Sequence, residues 1–225
     1  MNLLHIDSSI TGAQSVSRQL SASVVARLAA ITPGLSVVYR DLAVAPVPQQ
    51  SQDLLFARLK ASYDAGALAG EVAEGVAAAV RGGAQVTPAG RDAAARADVV
   101  LEEFLAADIV VVGAPMYNFG PPSQLKDWLD CLCVMGRTFR YSASGIEGLA
   151  GGRSVIIASS RGGIYSAPSP MAAMDHQESL LATVFGFLGV RDISYVRAEG
   201  VNLGPEQRQR AIADALAEVA ALKAA

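Results

Sequence analysis

The sequence predicts a doubly wound α/β fold built on a parallel sheet, and three observations carry that expectation. Short β-branched runs alternate along the chain with segments of helical periodicity, the pattern of parallel strands joined by crossover helices. The runs at 108–113 (Asp-Ile-Val-Val-Val-Gly) and 154–159 (Ser-Val-Ile-Ile-Ala-Ser) lack the alternation of a half-solvated strand, so they read as strands covered on both faces. The loops after the first, third and fourth strands carry side chains that an ordinary connection does not need.

At 225 residues, 52% of them hydrophobic, the chain suits one domain with a real core. No apolar run is long enough to cross a bilayer, and no signal peptide is expected ahead of a first strand that starts within a few residues of Met1. Cys131 and Cys133 stand two apart, a spacing that disfavours a disulfide and fits a reducing compartment. Net charge is −3 with no basic run, so no nucleic-acid partner is proposed. A cytoplasmic protein without membrane contact is the expectation.

In chain order, residues 3–7 form the first strand and lead into Ser8-Ser9-Ile10-Thr11-Gly12-Ala13-Gln14-Ser15-Val16-Ser17. A helix follows, with Leu20, Val24, Val25 and Leu28 on one side and Pro33-Gly34 closing it. This loop lacks a G-x-G-x-x-G fingerprint and a P-loop lysine. Yet it opens a helix N-terminus, where free N–H groups and the dipole attract an anion, and hydroxyls add donors for phosphate oxygens. Capping alone would use one or two of its five hydroxyl side chains.

Residues 35–40 read as the second strand, and Pro46 and Pro48 mark a surface loop. The stretch 51–97 is too long for a simple connection, so it is expected to be an insert holding helices, with room for a lid over the site. Leu54, Leu55, Arg58 and Leu59, then Val72, Val76 and Val80, have helical spacing interrupted by glycines. A further helix is expected over 91–107, with Val99, Val100, Glu103 and Phe104 in register.

The third strand, 108–113, ends in Ala114-Pro115-Met116-Tyr117-Asn118-Phe119-Gly120-Pro121-Pro122, where the prolines forbid further strand. From Ser123 the spacing of Leu125, Trp128, Leu129 and Leu132 predicts a helix ending near Gly136. Residues 137–141 read as a polar-aromatic segment and 144–152 as loop. The fourth strand runs into Ser160-Arg161-Gly162-Gly163-Ile164-Tyr165, whose paired glycines let backbone N–H groups approach a ligand or simply turn the chain out of the sheet. Ser169-Pro170 reads as the start of a helix carrying Leu180, Leu181, Val184 and Phe187. A fifth strand at 192–197 and a last helix from Gly204-Pro205 complete the chain.

Five strands place the sheet in the flavodoxin-like order 2-1-3-4-5, which makes strands 1, 3 and 4 neighbours and brings their three loops to one crevice. A hydroxyl-rich anion cradle, a wall of aromatic and amide side chains and a glycine floor together describe a ligand with a phosphate tail and a planar head. Flavin mononucleotide (FMN) meets that description.

The chain resembles the FMN-dependent NADH-azoreductase family, related to the NAD(P)H-quinone reductases. The resemblance rests on Ile6-Asp7-Ser8-Ser9-Ile10 with Ser15-Val16-Ser17-Arg18-Gln19-Leu20, on Ala114 to Phe119 with Ser123-Gln124-Leu125-Lys126, on Thr138-Phe139-Arg140-Tyr141, on Ser160-Arg161-Gly162-Gly163-Ile164 and on Ala198-Glu199-Gly200. It implies that Ser9, Ser15, Val16 and Ser17 hold the FMN phosphate. Pro115, Met116, Tyr117, Asn118 and Phe119 would flank the ribityl chain and ring, and Ser160, Arg161, Gly162 and Gly163 would line the pyrimidine end. It further implies a homodimer with flavin sites at the interface, and ping-pong transfer of two electrons from NADH or NADPH to a quinone or azo compound. The flavin carries that chemistry, so no catalytic side chain and no metal ligand are assigned. The 51–97 segment is longer than the family leads one to expect, and Gly120-Pro121-Pro122 is more proline-rich; both border the mouth of the pocket.

Phe119, Tyr165 and Phe185 are candidate walls of the substrate pocket, with Phe119 and Tyr165 equally suited to a subunit interface. His5 reads as a hydrogen-bonded core residue, His176 as exposed, Trp128 as core or subunit contact, and Cys131 and Cys133 as packing. Two other readings remain: a flavodoxin-type electron carrier, against which the modest charge and the insert argue, and a flavin-free nucleotide-binding module.

Overall fold

The structure is a computed structural model that describes residues 1–142 and 145–223. Five parallel strands form its sheet: β1 (Asn2–Asp7), β2 (Ser36–Asp41), β3 (Ile109–Pro115), β6 (Ser154–Arg161) and β7 (Asp192–Glu199). Their spatial order is β2-β1-β3-β6-β7, the 2-1-3-4-5 order expected when the parallel strands are counted alone. Register is set at the ligand end of the sheet. Asp7, the last residue of β1, stands opposite Gly113, and Gly113 opposite Ala158; β3 runs on to Pro115 and β6 to Arg161, so the three strands end at the same edge of the sheet within three residues of one another.

Seven helices connect the described strands: α1 (Val16–Ile31), α2 (Gln52–Asp64), α3 (Gly70–Arg81), α4 (Pro88–Ala106), α5 (Ser123–Leu132), α6 (Gln177–Phe187) and α7 (Pro205–Ala220). Their starts follow cap chemistry. Ser51 accepts from the Leu54 N–H ahead of α2, and Thr87 accepts from the Gly90 N–H with Pro88 in the first turn of α4. The 51–97 stretch thus holds α2, α3 and the first half of α4. Gly66 and Gly82-Gly83 separate these helices, whereas Gly75 and Gly90 lie within them.

Successive strand residues point to opposite sides of the sheet, and the core divides accordingly. Leu4, Ile6, Val110, Val112, Val155 and Ile157 pack with side chains of α4, α5 and α6. Leu3, Ile109, Val111, Ile156 and Ala158 pack with α1 and α7. Trp128 lies fully in the first cluster, its ring edge-on to Phe104 at 6.1 Å, which makes it a core residue. Among the described residues no helix is long and apolar enough to cross a membrane.

Three expectations need correction. Residues 137–152 are not simply loop: β4 (Phe139–Ser142) and β5 (Gly145–Gly148) pair antiparallel as a separate hairpin, with Arg140 opposite Glu147 and ion-paired to it at 2.8 Å. The Ser144 end of the expected loop lies outside the described residues. The helix expected from Ser169-Pro170 begins only at Gln177; the Asp175 carboxylate accepts from the N–H groups of Gln177 and Glu178, while Ser169 stays in a turn, donating to the Ile164 carbonyl. Finally, α5 stops at Leu132 rather than near Gly136.

Candidate functional site

The chain leaves β1, β3 and β6 at one edge of the sheet, and a cavity of about 400 Å³ opens there. Ser9, Thr11, Gln14, Ser15 and Val16 line it from the β1–α1 connection, and Pro115, Met116 and Tyr117 from the end of β3 and beyond. Ser160 and Gly162 contribute from β6 and its exit, Val201, Asn202 and Arg208 from beyond β7. That volume lies within the range of small-molecule and cofactor sites. A wider cleft of about 640 Å³ lies on the other side of the β1–α1 connection, against Tyr39 and Asp41 of the edge strand, and shares Ser9.

The hydroxyl-rich connection divides its side chains among separate tasks. Ser15 caps α1, its Oγ accepting from the Arg18 N–H at 3.3 Å and lying 3.0 Å from Ser17 Oγ. Ser8 Oγ donates to the Gly113 carbonyl at 2.7 Å, fastening the connection to β3. Ser9 Oγ is 3.0 Å from Thr11 Oγ1 and 3.1 Å from the Tyr117 hydroxyl, so two of the converging loops touch directly. The N–H groups of Val16 and Ser17 have no partner among the described residues. At a helix N-terminus that is an anion site in waiting.

Arg18 braces this cradle from outside. Its Nε and Nη2 donate to the Ser9 carbonyl at 3.2 and 2.7 Å, and Nη1 and Nη2 reach both Asp41 oxygens at 2.6 and 2.7 Å. Hydrogen bonding to Arg18 holds the Asp41 carboxyl below its ordinary range. The guanidinium that is free to meet a phosphate is instead Arg208, whose side chain makes no hydrogen bond among the described residues.

After β3 the chain makes a two-residue hairpin turn. The Tyr117 N–H donates to the Gly120 carbonyl at 2.9 Å, the Gly120 N–H returns to Tyr117 at 3.1 Å, and Asn118 and Phe119 between them have φ of 49° and 72°. Both central residues at positive φ define the mirror-image turn that favours Asn-Gly. Phenylalanine in the second place costs on the order of 1 kcal/mol of backbone strain. The turn is pinned by the His176 N–H, which donates to the Phe119 carbonyl at 3.0 Å.

The exit from β6 forms the third wall. The N–H groups of Gly162 and Gly163 also lack partners among the described residues. A Cβ on Gly162 would come within 2.7 Å of Asn202 Nδ2, so a side chain there would displace the Asn202 amide from the cavity wall. Behind this wall Arg161 is 1% exposed, its Nη1 3.0 Å from both Asp175 and Glu199 and its Nη2 against Glu178. Glu199 also accepts from the N–H groups of Tyr165 and Ser166 at 2.8 and 3.0 Å. Burial pushes the Glu199 carboxyl up, but these donors and the Arg161 charge outweigh it and leave it below its usual value.

Of the residues expected at the site, Ser9, Ser15, Val16, Pro115, Met116, Tyr117, Ser160 and Gly162 line one cavity. Ser17 is buried beside it and Gly163 follows Gly162 in the third wall. The hairpin turn carries Asn118 and Phe119 to an exposed tip, where Phe119 stands edge-on to Tyr165 at 6.5 Å. Arg161 is corrected, because it does not line the cavity: its side chain points into the ion network of Asp175, Glu178 and Glu199. Phe185 is corrected too, being fully buried 6.4 Å from Phe104 and 6.3 Å from Trp128 on the face α6 turns to the core. Sequence reasoning did not assign Thr11, Gln14, Val201, Asn202 or Arg208 to the site. The Ala198-Glu199-Gly200 segment just before the latter three was the available signal.

His5 is buried as expected, but its Nε2 makes no hydrogen bond and lies 3.6 Å from Asp7. Both cysteines are free, and burial pushes the Cys131 thiol up to about 11, consistent with packing rather than reactivity.

A parallel sheet with an unclaimed helix N-terminus and an unclaimed pair of glycine amides facing one crevice belongs to the nucleotide-binding class of doubly wound proteins. A family model described as the flavodoxin-like fold matches residues 1–222. The chain is 53% identical over 215 residues to an FMN-dependent NADH:quinone oxidoreductase of Sinorhizobium fredii, covering 96% of this chain and 93% of that one. It is 48% identical over 225 residues, all of both chains, to FMN-dependent NADH:quinone oxidoreductase 2 of Bradyrhizobium diazoefficiens. The crystal structure of an azoreductase from Bacillus anthracis superposes with a TM-score of 0.83 at 29% identity, covering 98% and 97% of the two chains. The chain therefore belongs to the flavodoxin-like family and, within it, to the group of FMN-dependent quinone oxidoreductases and azoreductases.

Proposed function

We propose that this protein binds FMN in the cavity at the sheet edge and uses it to pass two electrons from NADH to quinones. The observation that carries this reading is that Val16 and Gly162, whose backbone N–H groups have no partner among the described residues, line separate walls of one cavity, with the unpartnered amides of Ser17 and Gly163 next to them in the chain. The donor set suits FMN: helix N-terminal amides, the Ser15 hydroxyl and Arg208 would hold a phosphate dianion, and the Gly162 and Gly163 amides would bond a heteroaromatic ring edge. Bound FMN supplies the redox chemistry, accepting electrons as hydride from the nicotinamide and delivering them to the acceptor. The protein's part is to hold and orient it. With FMN bound, the fixed amide dipoles of Gly162 and Gly163 would favour negative charge on the ring, and Met116 and Tyr117 would shield it from water.

In this reading donor and acceptor use the same open side in turn, a ping-pong order. Azo compounds are accepted as well as quinones, and NADPH is the alternative donor. Residues 1–225 act as a single unit with helices on both faces of the sheet, and α2 and α3 are an insert beside the pocket. Two copies associate with Phe119 and Tyr165 near the interface, and the protein works in the cytoplasm. Anaerobic addition of NADH to purified yellow protein tests the central claim. Rapid bleaching of the visible flavin band, recovered on adding a quinone, is the expected result. A band that stays unbleached identifies a carrier, and a colourless protein that releases no FMN on denaturation overturns the reading altogether.

A further inference from the structure

One fully buried side chain joins two walls of the sheet-edge cavity from behind. Gln177, the first residue of α6, is 0% exposed and does not itself line the cavity. Its Nε2 donates to the Ala114 carbonyl at 3.0 Å, and its Oε1 accepts from the Ser159 hydroxyl at 2.8 Å. Ala114 and Ser159 stand opposite each other in the β3–β6 register, each one residue ahead of a cavity-lining residue, Pro115 and Ser160. The amide bridge therefore lies directly behind the point where the two walls part.

The residues just before Gln177 extend the connection. The Asp175 carboxylate accepts from the Gln177 N–H at 3.0 Å and pairs with Arg161, whose Nε donates to Ser159 Oγ at 3.1 Å. The His176 N–H donates to the Phe119 carbonyl in the hairpin turn. Beyond the bond from the Met116 N–H to the Ser160 carbonyl at 2.8 Å, the segments that follow β3 and β6 share no backbone hydrogen bond among the described residues. Their spacing is then set by what holds them from behind. An amide suits this place because it donates to a carbonyl and accepts from a hydroxyl at once, which no aliphatic chain and no ionised carboxylate can do.

We infer that Gln177 is a positioning residue for the reaction. It sets the separation of the walls at 115–117 and 160–163, and through that the pose of a bound flavin ring toward the incoming nicotinamide. The inference rests on the flavin reading given above. Transfer between two centres needs them about 3–3.5 Å apart, and a displacement of about 1 Å costs up to about a hundredfold in rate. Gln177 acts through Ala114 and Ser159, not by contact with the reactants.

Reduction of FMN-loaded protein by NADH, followed by stopped flow, tests this. Gln177→Leu keeps much of the volume and loses both bonds. Its rate constant at saturating NADH falls about tenfold while the half-saturating NADH concentration stays within about twofold, and the visible circular dichroism of the bound flavin changes. Ser159→Ala removes one half of the bridge and slows reduction about threefold; added to Gln177→Leu it slows it little further, as expected of groups that act as a unit. This milder variant carries the test should Gln177→Leu fail to fold. Ser62→Ala breaks a hydrogen bond to the Met135 carbonyl away from the cavity and lowers Tm with rate and dichroism unchanged. Overturning results are wild-type rate and dichroism in both Gln177→Leu and Ser159→Ala, full additivity of the two, or an equal slowing by Ser62→Ala. Wild-type protein that NADH does not bleach overturns the flavin reading itself, and this inference with it.

Discussion

Arg161 and Arg58 are buried to a similar degree, yet the regions around them are built on opposite principles. Arg161, behind the glycine wall, is 1% exposed and meets Asp175, Glu178 and Glu199, with Arg197 joining through Glu178 at 2.7 Å. Arg58, at the end of α5, meets backbone carbonyls, and its nearest carboxylate stays 3.8 Å away. The first guanidinium is surrounded by acceptors and serves as the hub of a fixed assembly. The second keeps donors unspent. Burial of a charged side chain is thus no guide to its role until its partners are counted.

Removing the hub has the largest expected effect. Arg161→Met leaves Asp175 and Glu199 without their cation, Glu178 keeping Arg197, and lowers unfolding free energy by about 3–5 kcal/mol in urea titrations; a loss as small as that of Arg58→Met would erase the distinction between the two regions. On the cavity side of the same region, Gly162→Val drives a side chain toward Asn202 and weakens flavin binding about tenfold or more, from an overpacking cost of roughly 1–3 kcal/mol. Ser160→Ala keeps the wall and changes flavin content little. Equal flavin per protein in the two variants, read from absorbance ratios, would count against the glycine wall.

The pH dependence sharpens the comparison further. Since the folded-state Glu199 carboxyl lies below the ordinary glutamate value of 4.5, the stability linked to it is present above about pH 4.5 and is lost as pH falls through the folded value. Glu199→Gln removes that link, so its Tm falls less steeply than the wild type's between about pH 5 and pH 3. Parallel Tm profiles would mean that Glu199 is not coupled to the fold. The smallest effect is expected from Arg58→Met, where relief of an unmatched charge offsets the lost cap and stability changes by about 1 kcal/mol or less.

Much of this was legible because burial leaves a compositional trace. The Val-Val-Val and Val-Ile-Ile runs marked β3 and β6, and the odd loops between them and the helices marked the crevice. The β4–β5 hairpin left no such trace: its strands are four residues each, rich in polar side chains and mostly exposed. Ser169-Pro170 carries a helix-start signal that a turn satisfies equally well, whereas the true start used Asp175. Phe185 was misplaced although Leu181, Phe185 and Leu188 share one helical face, all fully buried. Asn202 and Arg208 come from beyond the fifth strand and enter the cavity only through tertiary packing, which local pattern does not encode.

The Tyr117 hydroxyl lies 3.1 Å from Ser9 Oγ and accepts from the Ile10 N–H at 3.3 Å. Two flanks of the cavity are therefore joined through one phenol, so a displacement of the Tyr117 segment is carried directly to the hydroxyl-rich connection on the other side.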